Sequence, residues 1–135
     1  MKTLRLLLLS IPFLFLGCAT EAANSITVAP EVSSQIEVLN SGLHSDCEIS
    51  GGGAVLYEDK LLSTYVVLKS HLDKKITLEG RWSWEDAQGY PIKASRGWNT
   101  IFVNAQEEQK VEGRAPGPLA VSGKYELRYH SGETH

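Results

Sequence analysis

Strict alternation of apolar and polar side chains dominates the middle of this 135-residue chain. Between residues 76 and 84, one face of the chain carries the polar residues Thr77, Glu79, Arg81 and Ser83. The other face carries Ile76, Leu78, Gly80, Trp82 and Trp84. A period of two is that of a β-strand with one buried face. The preceding run, Leu62–Lys69, alternates in the same way, and a polar connection separates the two. We therefore predict that both runs are strands and that they pair as a long antiparallel hairpin.

Shorter runs of the same kind predict further strands. In Lys124–His130, Tyr125, Leu127 and Tyr129 share one face. The remaining candidates are Gln35–Leu39, Asp46–Ile49, Ala54–Tyr57, Thr100–Asn104 and Gln109–Gly113. No stretch predicts an amphipathic helix. The expected fold is all-β: an antiparallel immunoglobulin-like β-sandwich of about seven strands over residues 35–131.

Two glycine-containing segments predict changes of chain direction. Asp86–Gly89 has the composition of a turn, with a final glycine that tolerates positive φ. The run Gly51–Gly53 lacks the lysine and the following helix of a phosphate-binding loop. We interpret it as a bend between strands.

The N-terminus has the pattern of an export signal. Lys2 and Arg5 precede an apolar run from Leu6 to Leu16 that is too short to span a bilayer, and Pro12 interrupts it. Residues 1–17 are therefore predicted to be a cleaved signal peptide.

Cys18 closes a segment, Leu14–Cys18, that resembles the lipobox of bacterial lipoproteins. The resemblance implies acylation of Cys18 and a membrane anchor, because several acyl chains suffice for stable attachment. Ala19 follows where inner-membrane retention would use an aspartate, which implies the periplasmic face of the outer membrane. The alternative is ordinary cleavage after Ala19.

The segment that follows, residues 18–34, is small and polar, and we predict a flexible tether. Without Lys2 and Arg5 the mature chain holds eleven basic and 16 acidic residues. A mildly acidic chain without a basic run lacks the electrostatic footprint of a nucleic-acid-binding protein. The expected partners are therefore the membrane, through Cys18, and another envelope protein or peptidoglycan.

A family resemblance rests on Val66–Ser70, Leu78–Gly89 and Ala115–Pro116. These stretches resemble the YcfL-type lipoproteins of proteobacteria, and the most specific part is the run Trp82-Ser83-Trp84-Glu85-Asp86-Ala87-Gln88-Gly89. The resemblance implies an immunoglobulin-like sandwich of unknown function and supplies no active site.

Candidate chemical groups are few. Cys47 is the one thiol left once Cys18 is acylated; it is expected to be buried and inert, although a thiol-dependent activity with His44 and Asp46 is the alternative. The histidines at 44, 71, 130 and 135 are far apart in sequence, so no metal site, catalytic set or cofactor is predicted.

The three tryptophans are the most informative side chains. Trp82 and Trp84 share the parity of the predicted core, whereas Trp98 is open to either assignment. If Trp98, Tyr90 and one of the pair faced water together, they would form a ligand or partner surface. The sequence thus leaves a protein-binding accessory module as the leading function, with a carbohydrate-binding module as the alternative.

Overall fold

The computed structural model describes residues 22–93 and 97–131, and these form an all-β domain with one short helix. Its elements are β1 (Asn24–Ala29), β2 (Val32–Glu37), α1 (Ser41–Asp46), β3 (Cys47–Leu56), β4 (Leu62–Ser70), β5 (Ile76–Glu85), β6 (Asn99–Val103), β7 (Glu108–Arg114) and β8 (Ser122–Tyr129). Among the described residues, no helix has the length and apolar character needed to cross a membrane.

The strands form two antiparallel sheets that face each other. The larger sheet has the order β2-β1-β8-β5-β6, and the smaller has the order β3-β4-β7. Alternate residues from both sheets fill the space between them, including Ile26, Val66, Leu68, Leu78 and Leu127, all fully buried. The predicted antiparallel β-sandwich is confirmed, with eight strands in the described residues.

The predicted pairing of β4 with β5 is wrong. β4 pairs with β3 and β7 in the smaller sheet, whereas β5 pairs with β6 and β8 in the larger one. The connection 71–75 therefore crosses from one sheet to the other. Alternation identifies the buried face of each strand, and two strands that face each other across a core show the same alternation as two that pair edge to edge.

The predicted tether is also wrong from residue 24 onward, because β1 is an internal strand of the larger sheet between β2 and β8. Ile26 and Val28 supply its buried face. The polar Asn24 is satisfied in the interior, since its side chain accepts from the amides of Leu39 and Asn40 and donates to the carbonyl of Asn40. The sandwich therefore begins at Asn24, ahead of the predicted boundary at residue 35.

Two local features differ from the expected pattern. The six-residue helix α1 begins after Asn40, whose side chain accepts a hydrogen bond from the amide of Leu43 and caps the helix. A single helical turn is too short to show a helical period. The run Gly51–Gly53 lies within β3, after a bulge, rather than forming a bend between strands. A side chain at Gly52 would come within 2.6 Å of the backbone oxygen of Tyr65.

The two ends of the sandwich carry different connecting segments. At one end, which we call the proximal end, lie the start of β1, helix α1, the loop 71–75 and the end of β8. The opposite, distal end carries the loops 57–61, 86–92 and 115–121. Both sheets share these ends, because a side chain at Gly123 would touch Trp84 of the larger sheet and Thr64 of the smaller.

Candidate binding surfaces

Trp82 and Trp84 lie between the sheets, stacked with their ring centroids 5.5 Å apart and their planes 14° from parallel. Trp84 is 4% exposed, which confirms its prediction as a core residue, and Trp82 is half-buried. The indole of Trp82 lies over Gly113 of β7, where any side chain would come within 2.6 Å of Nε1. Among the described residues, that buried Nε1 has no hydrogen-bond partner.

Trp98 occupies the other side of the larger sheet. Its ring is 4.4 Å from the guanidinium carbon of Arg81 and 3.9 Å from that of Arg128. Each arginine also pairs across the strands, Arg81 with Glu126 at 2.6 Å and Arg128 with Glu79 at 2.8 Å. Cation–π contacts with both arginines hold the half-buried indole of Trp98 against the charged outer face of the larger sheet.

The four aromatic residues considered for a possible ligand or partner surface therefore lie in three places. Trp82 and Trp84 are between the sheets, Trp98 is on the outer face, and Tyr90 is on a distal turn. The Asp86–Gly89 turn is confirmed: Gly89 has φ +83°, and the Asp86 carboxylate accepts from the amides of Gln88 and Tyr90. Tyr90 itself is 68% exposed.

Cys47 is fully buried at the start of β3, as predicted. Burial, with smaller contributions from the carboxylates of Glu48 and Asp46, raises the pKa of its thiol to about 12. A thiol-dependent reaction needs an accessible thiolate, so this environment opposes a nucleophilic role. Cys18 lies outside the described residues.

The fold brings two of the four histidines together. His44 on α1 and His71 after β4 both approach Glu48, with Nε2 to carboxylate distances of 3.9 and 3.1 Å. His130 lies 4.0 Å from Glu79. Within residues 22–93 and 97–131, no group of three or more His, Cys, Asp or Glu side chains could hold a metal ion. His135 is outside the described residues.

Exposed apolar side chains gather on the distal loops beside the end of β5. We call Tyr90, Leu119 and Val121 the distal surface. The amide of Val121 donates to the carbonyl of Glu85, and the amide of Asp86 donates to the carbonyl of Tyr90, so the two loops adjoin the same strand end. Leu119 is 73% exposed and Tyr90 is 68% exposed. Sequence reasoning singled out Tyr90 but missed Leu119 and Val121, whose loop has no alternation to mark an exposed position.

A second surface is a cleft of about 360 Å³ on the outer face of the smaller sheet. We call it the tyrosine cleft; Tyr57 is 58% and Tyr65 is 36% exposed. The remaining lining residues are Val55, Ser63, Thr64, Lys110, Glu112, Gly113 and Arg114. Tyr65 occupies an outward position in the alternation of β4, and this pattern in the sequence could have identified the tyrosine cleft.

Two facing antiparallel sheets of five and three strands make the chain a small all-β sandwich domain whose surface carries clefts and exposed aromatic side chains. The chain belongs to the family described as a protein of unknown function, DUF1425, which matches residues 34–129. No curated protein matches it.

Two solved structures are similar to this fold. One is the crystal structure of Campylobacter jejuni cj0090, with a TM-score of 0.56 and 14% identity, covering 61% of this chain and 85% of that one. The other is a DUF1425 family member from Shewanella sp. pv-4, with a TM-score of 0.54 and 20% identity, covering 73% of this chain and 91% of that one. At these identities the similarity shows the fold.

Proposed function

We propose that this protein is a non-enzymatic lipoprotein of the outer membrane that binds another envelope protein through the distal surface. The lipobox-like segment ending at Cys18 supports the anchor, and Ala19 supports the outer membrane. The resemblance of Leu78–Gly89 to the YcfL-type lipoproteins supports a relationship to those lipoproteins.

The observation that carries the binding role is the position of the distal surface. Tyr90, Leu119 and Val121 expose large apolar side chains at the end opposite residue 22, so an anchored domain would present them away from the membrane. Exposed apolar residues on adjoining loops are common in protein-interaction sites, and tyrosine is common among residues that dominate binding energy.

The alternative platform of exposed tryptophans lacks support, because the three indoles do not share a surface. The thiol alternative lacks support because Cys47 is enclosed.

Site-resolved crosslinking in cells tests the protein-binding role. A photo-crosslinking amino acid at Leu119 should yield a discrete adduct, whereas one at Lys74, exposed at the proximal end, should not. Tyr90→Ser should abolish the Leu119 adduct while leaving the circular dichroism spectrum unchanged. Equal adducts from both positions, or an adduct indifferent to Tyr90→Ser, would contradict the proposal.

The anchor has its own test. Labelled palmitate should enter the wild-type protein and not Cys18→Ala, and the variant should leave the membrane fraction. Equal labelling of both proteins would show that Cys18 is not the lipidated residue.

A further inference from the structure

The floor of the tyrosine cleft is a flat aromatic ring lying on a glycine. In the register of the smaller sheet, Gly53, Tyr65 and Glu112 stand side by side on β3, β4 and β7. A Cβ at Gly53 would be 3.0 to 3.2 Å from three atoms of the Tyr65 ring and hydroxyl. The ring therefore rests on the backbone of β3, because residue 53 has no side chain to raise it. This ring is a broad apolar surface on the outward side of β4.

Charged side chains lie over and beside that ring. Lys110 Nζ lies over the Tyr65 ring, 4.8 Å from its centroid, and is 3.3 Å from the Glu112 carboxylate. A ligand that stacks on this face must therefore displace the Lys110 side chain, which is 57% exposed. Arg114 is paired with Asp59 of the β3–β4 turn. The lining holds Lys110, Arg114 and Glu112, and Asp59 outside the lining pairs with Arg114. Because both cations are paired, the cleft offers hydrogen-bond donors and acceptors with little net charge and favours a polar but neutral ligand over a phosphate or an acidic peptide.

The size and openness of the cleft limit the class of ligand further. The volume of about 360 Å³ lies at the small end of the roughly 300–1,000 Å³ range for small-ligand sites, and the cleft is open to solvent. Tyr57 and Val55 form one wall, and Ser63 adds a hydroxyl in the row of Val55 and Arg114. A long aliphatic chain would need a deeper apolar enclosure. A flat ring with one apolar face and polar substituents around its rim matches both the floor and the edges.

We propose that the tyrosine cleft binds a neutral pyranose glycan, with the apolar face of one sugar ring stacked on Tyr65. The hydroxyl and acetamido groups of the sugar bond to Lys110, Glu112 and Arg114. Tyr57 contacts the adjoining ring. This site is separate from the distal surface, so it is independent of the proposed protein-binding role.

Binding of defined oligosaccharides tests this site. The full mature chain, isotope-labelled and held in detergent micelles, is titrated with a tetramer of N-acetylglucosamine and, separately, with a tetramer of glucose. We expect amide shifts at residues 53, 65 and 114 with at least one sugar. The sugar that binds identifies the source of the glycan, a hexosamine strand or a plain glucan.

Variants locate the binding energy. Tyr65→Ala should weaken the affinity at least tenfold, whereas Tyr65→Phe, which keeps the ring, should stay within about threefold of wild type. Gly53→Ala should weaken binding because its methyl group lifts the ring. Phe102→Ala is the matched control, because it removes an exposed aromatic side chain from the larger sheet, and it should bind the sugar as wild type does.

Three outcomes would overturn the proposal: no shifts with either sugar, shifts confined to other surfaces, or equal affinity in wild type and Tyr65→Ala. Since Tyr65 is partly exposed, Tyr65→Ala is expected to fold, and Gly53→Ala provides a second reading that retains every polar group. Loss of sugar binding with an unchanged crosslink at Leu119 would separate this site from the proposed protein-binding function.

Discussion

Burial raises the pKa of two acidic groups in the core, the Cys47 thiol and the Tyr125 hydroxyl. Desolvation is the main cause of both shifts; it raises the pKa of Cys47 to about 12 and also raises the pKa of Tyr125. Both groups therefore remain protonated in the folded protein at pH values where an unfolded chain would begin to lose its protons. Their neutral forms are part of what keeps the core stable.

We predict that Cys47 makes the protein sensitive to alkaline pH. The folded pKa lies above the ordinary value of 9.0, so the stabilising contribution is complete below pH 9 and is lost as pH rises toward 12. Urea unfolding should show a free energy lower by about 2 kcal/mol at pH 10.5 than at pH 8 from this group. The free energy of unfolding of Cys47→Ala should fall by less between pH 8 and pH 10.5. An equal loss in both proteins would assign the effect to other residues.

Gly80 is a second residue whose role follows from geometry. It lies beneath Tyr125, and a Cβ there would be 1.8 Å from the tyrosine oxygen. We predict that Gly80→Ala lowers the free energy of unfolding by about 3 kcal/mol, because the buried Tyr125 has no free space to move into.

Gly51→Ala is the matched control, since a Cβ at that position has open space around it. Its free energy of unfolding in urea should stay within about 0.5 kcal/mol of wild type. If both alanine variants lost the same stability, strand conformation rather than the contact with Tyr125 would be the cause.

Single residues also show what the sequence could predict at this scale. Trp84 was assigned to the core because parity within one strand is a local property. Trp98 could not be placed in the same way, since its neighbours Arg81 and Arg128 come from β5 and β8, and their proximity depends on the pairing of those strands. Contacts between strands that are distant in sequence leave no periodic signal.

Among the elements, β1 shows how a strand escapes detection. Its sequence, NSITVA, has two bulky apolar residues among small polar ones, which is the composition of a linker. What makes it a strand is the pairing available on both sides, to β2 and to β8. Each ladder satisfies backbone groups that would otherwise be buried without partners.

Substitutions in β1 distinguish an internal strand from a tether. Ile26→Asn should lower the free energy of unfolding by about 4 kcal/mol, because it removes a fully buried apolar side chain and buries an amide. Thr27→Asn, at the neighbouring position on the outer face, should cost less than about 1 kcal/mol. Chemical denaturation followed by tryptophan fluorescence gives both values. Equal tolerance of the two changes would mean that the segment does not belong to the folded core.

The hairpin error between β4 and β5 has a similar origin. Each strand was correctly identified, and each buried face was correct, because alternation reports burial. Which strand lies beside which is decided by the connection 71–75, and five residues can make either a hairpin or a crossing between sheets. The tyrosine cleft was missed for the same reason: Gly53 comes beside Tyr65 through a register that contains a bulge after Ile49.

At the scale of the whole molecule, the recognition of β1 shortens the expected link to the membrane. Only residues 19–23 separate Cys18 from the first strand, and five residues reach at most about 18 Å. The sandwich is about 27 Å long, as judged from the eight residues of β8, and is therefore longer than this link can reach. If Cys18 carries the lipid as we propose, the domain should have a defined membrane-facing end.

This orientation can be measured in proteoliposomes. A fluorophore attached at residue 74, at the proximal end, should be strongly quenched by spin-labelled lipid headgroups, whereas one at residue 119 should be quenched weakly. The buried Cys47 should not react with the label. In Cys18→Ala neither position should be quenched. Equal quenching of both positions in the anchored protein would contradict a fixed orientation.

The position of β8 has a consequence for how such a chain is made. The last strand lies in the interior of the larger sheet, between β1 and β5, so that sheet pairs the beginning of the domain with its end. A chain that is exported N-terminus first delivers β8 last. For the export that we propose, the larger sheet could not close until β8 had crossed the membrane. Such non-local pairing is intrinsically slow. If the protein is exported as we propose, slow closure of this sheet would favour an unfolded chain before secretion.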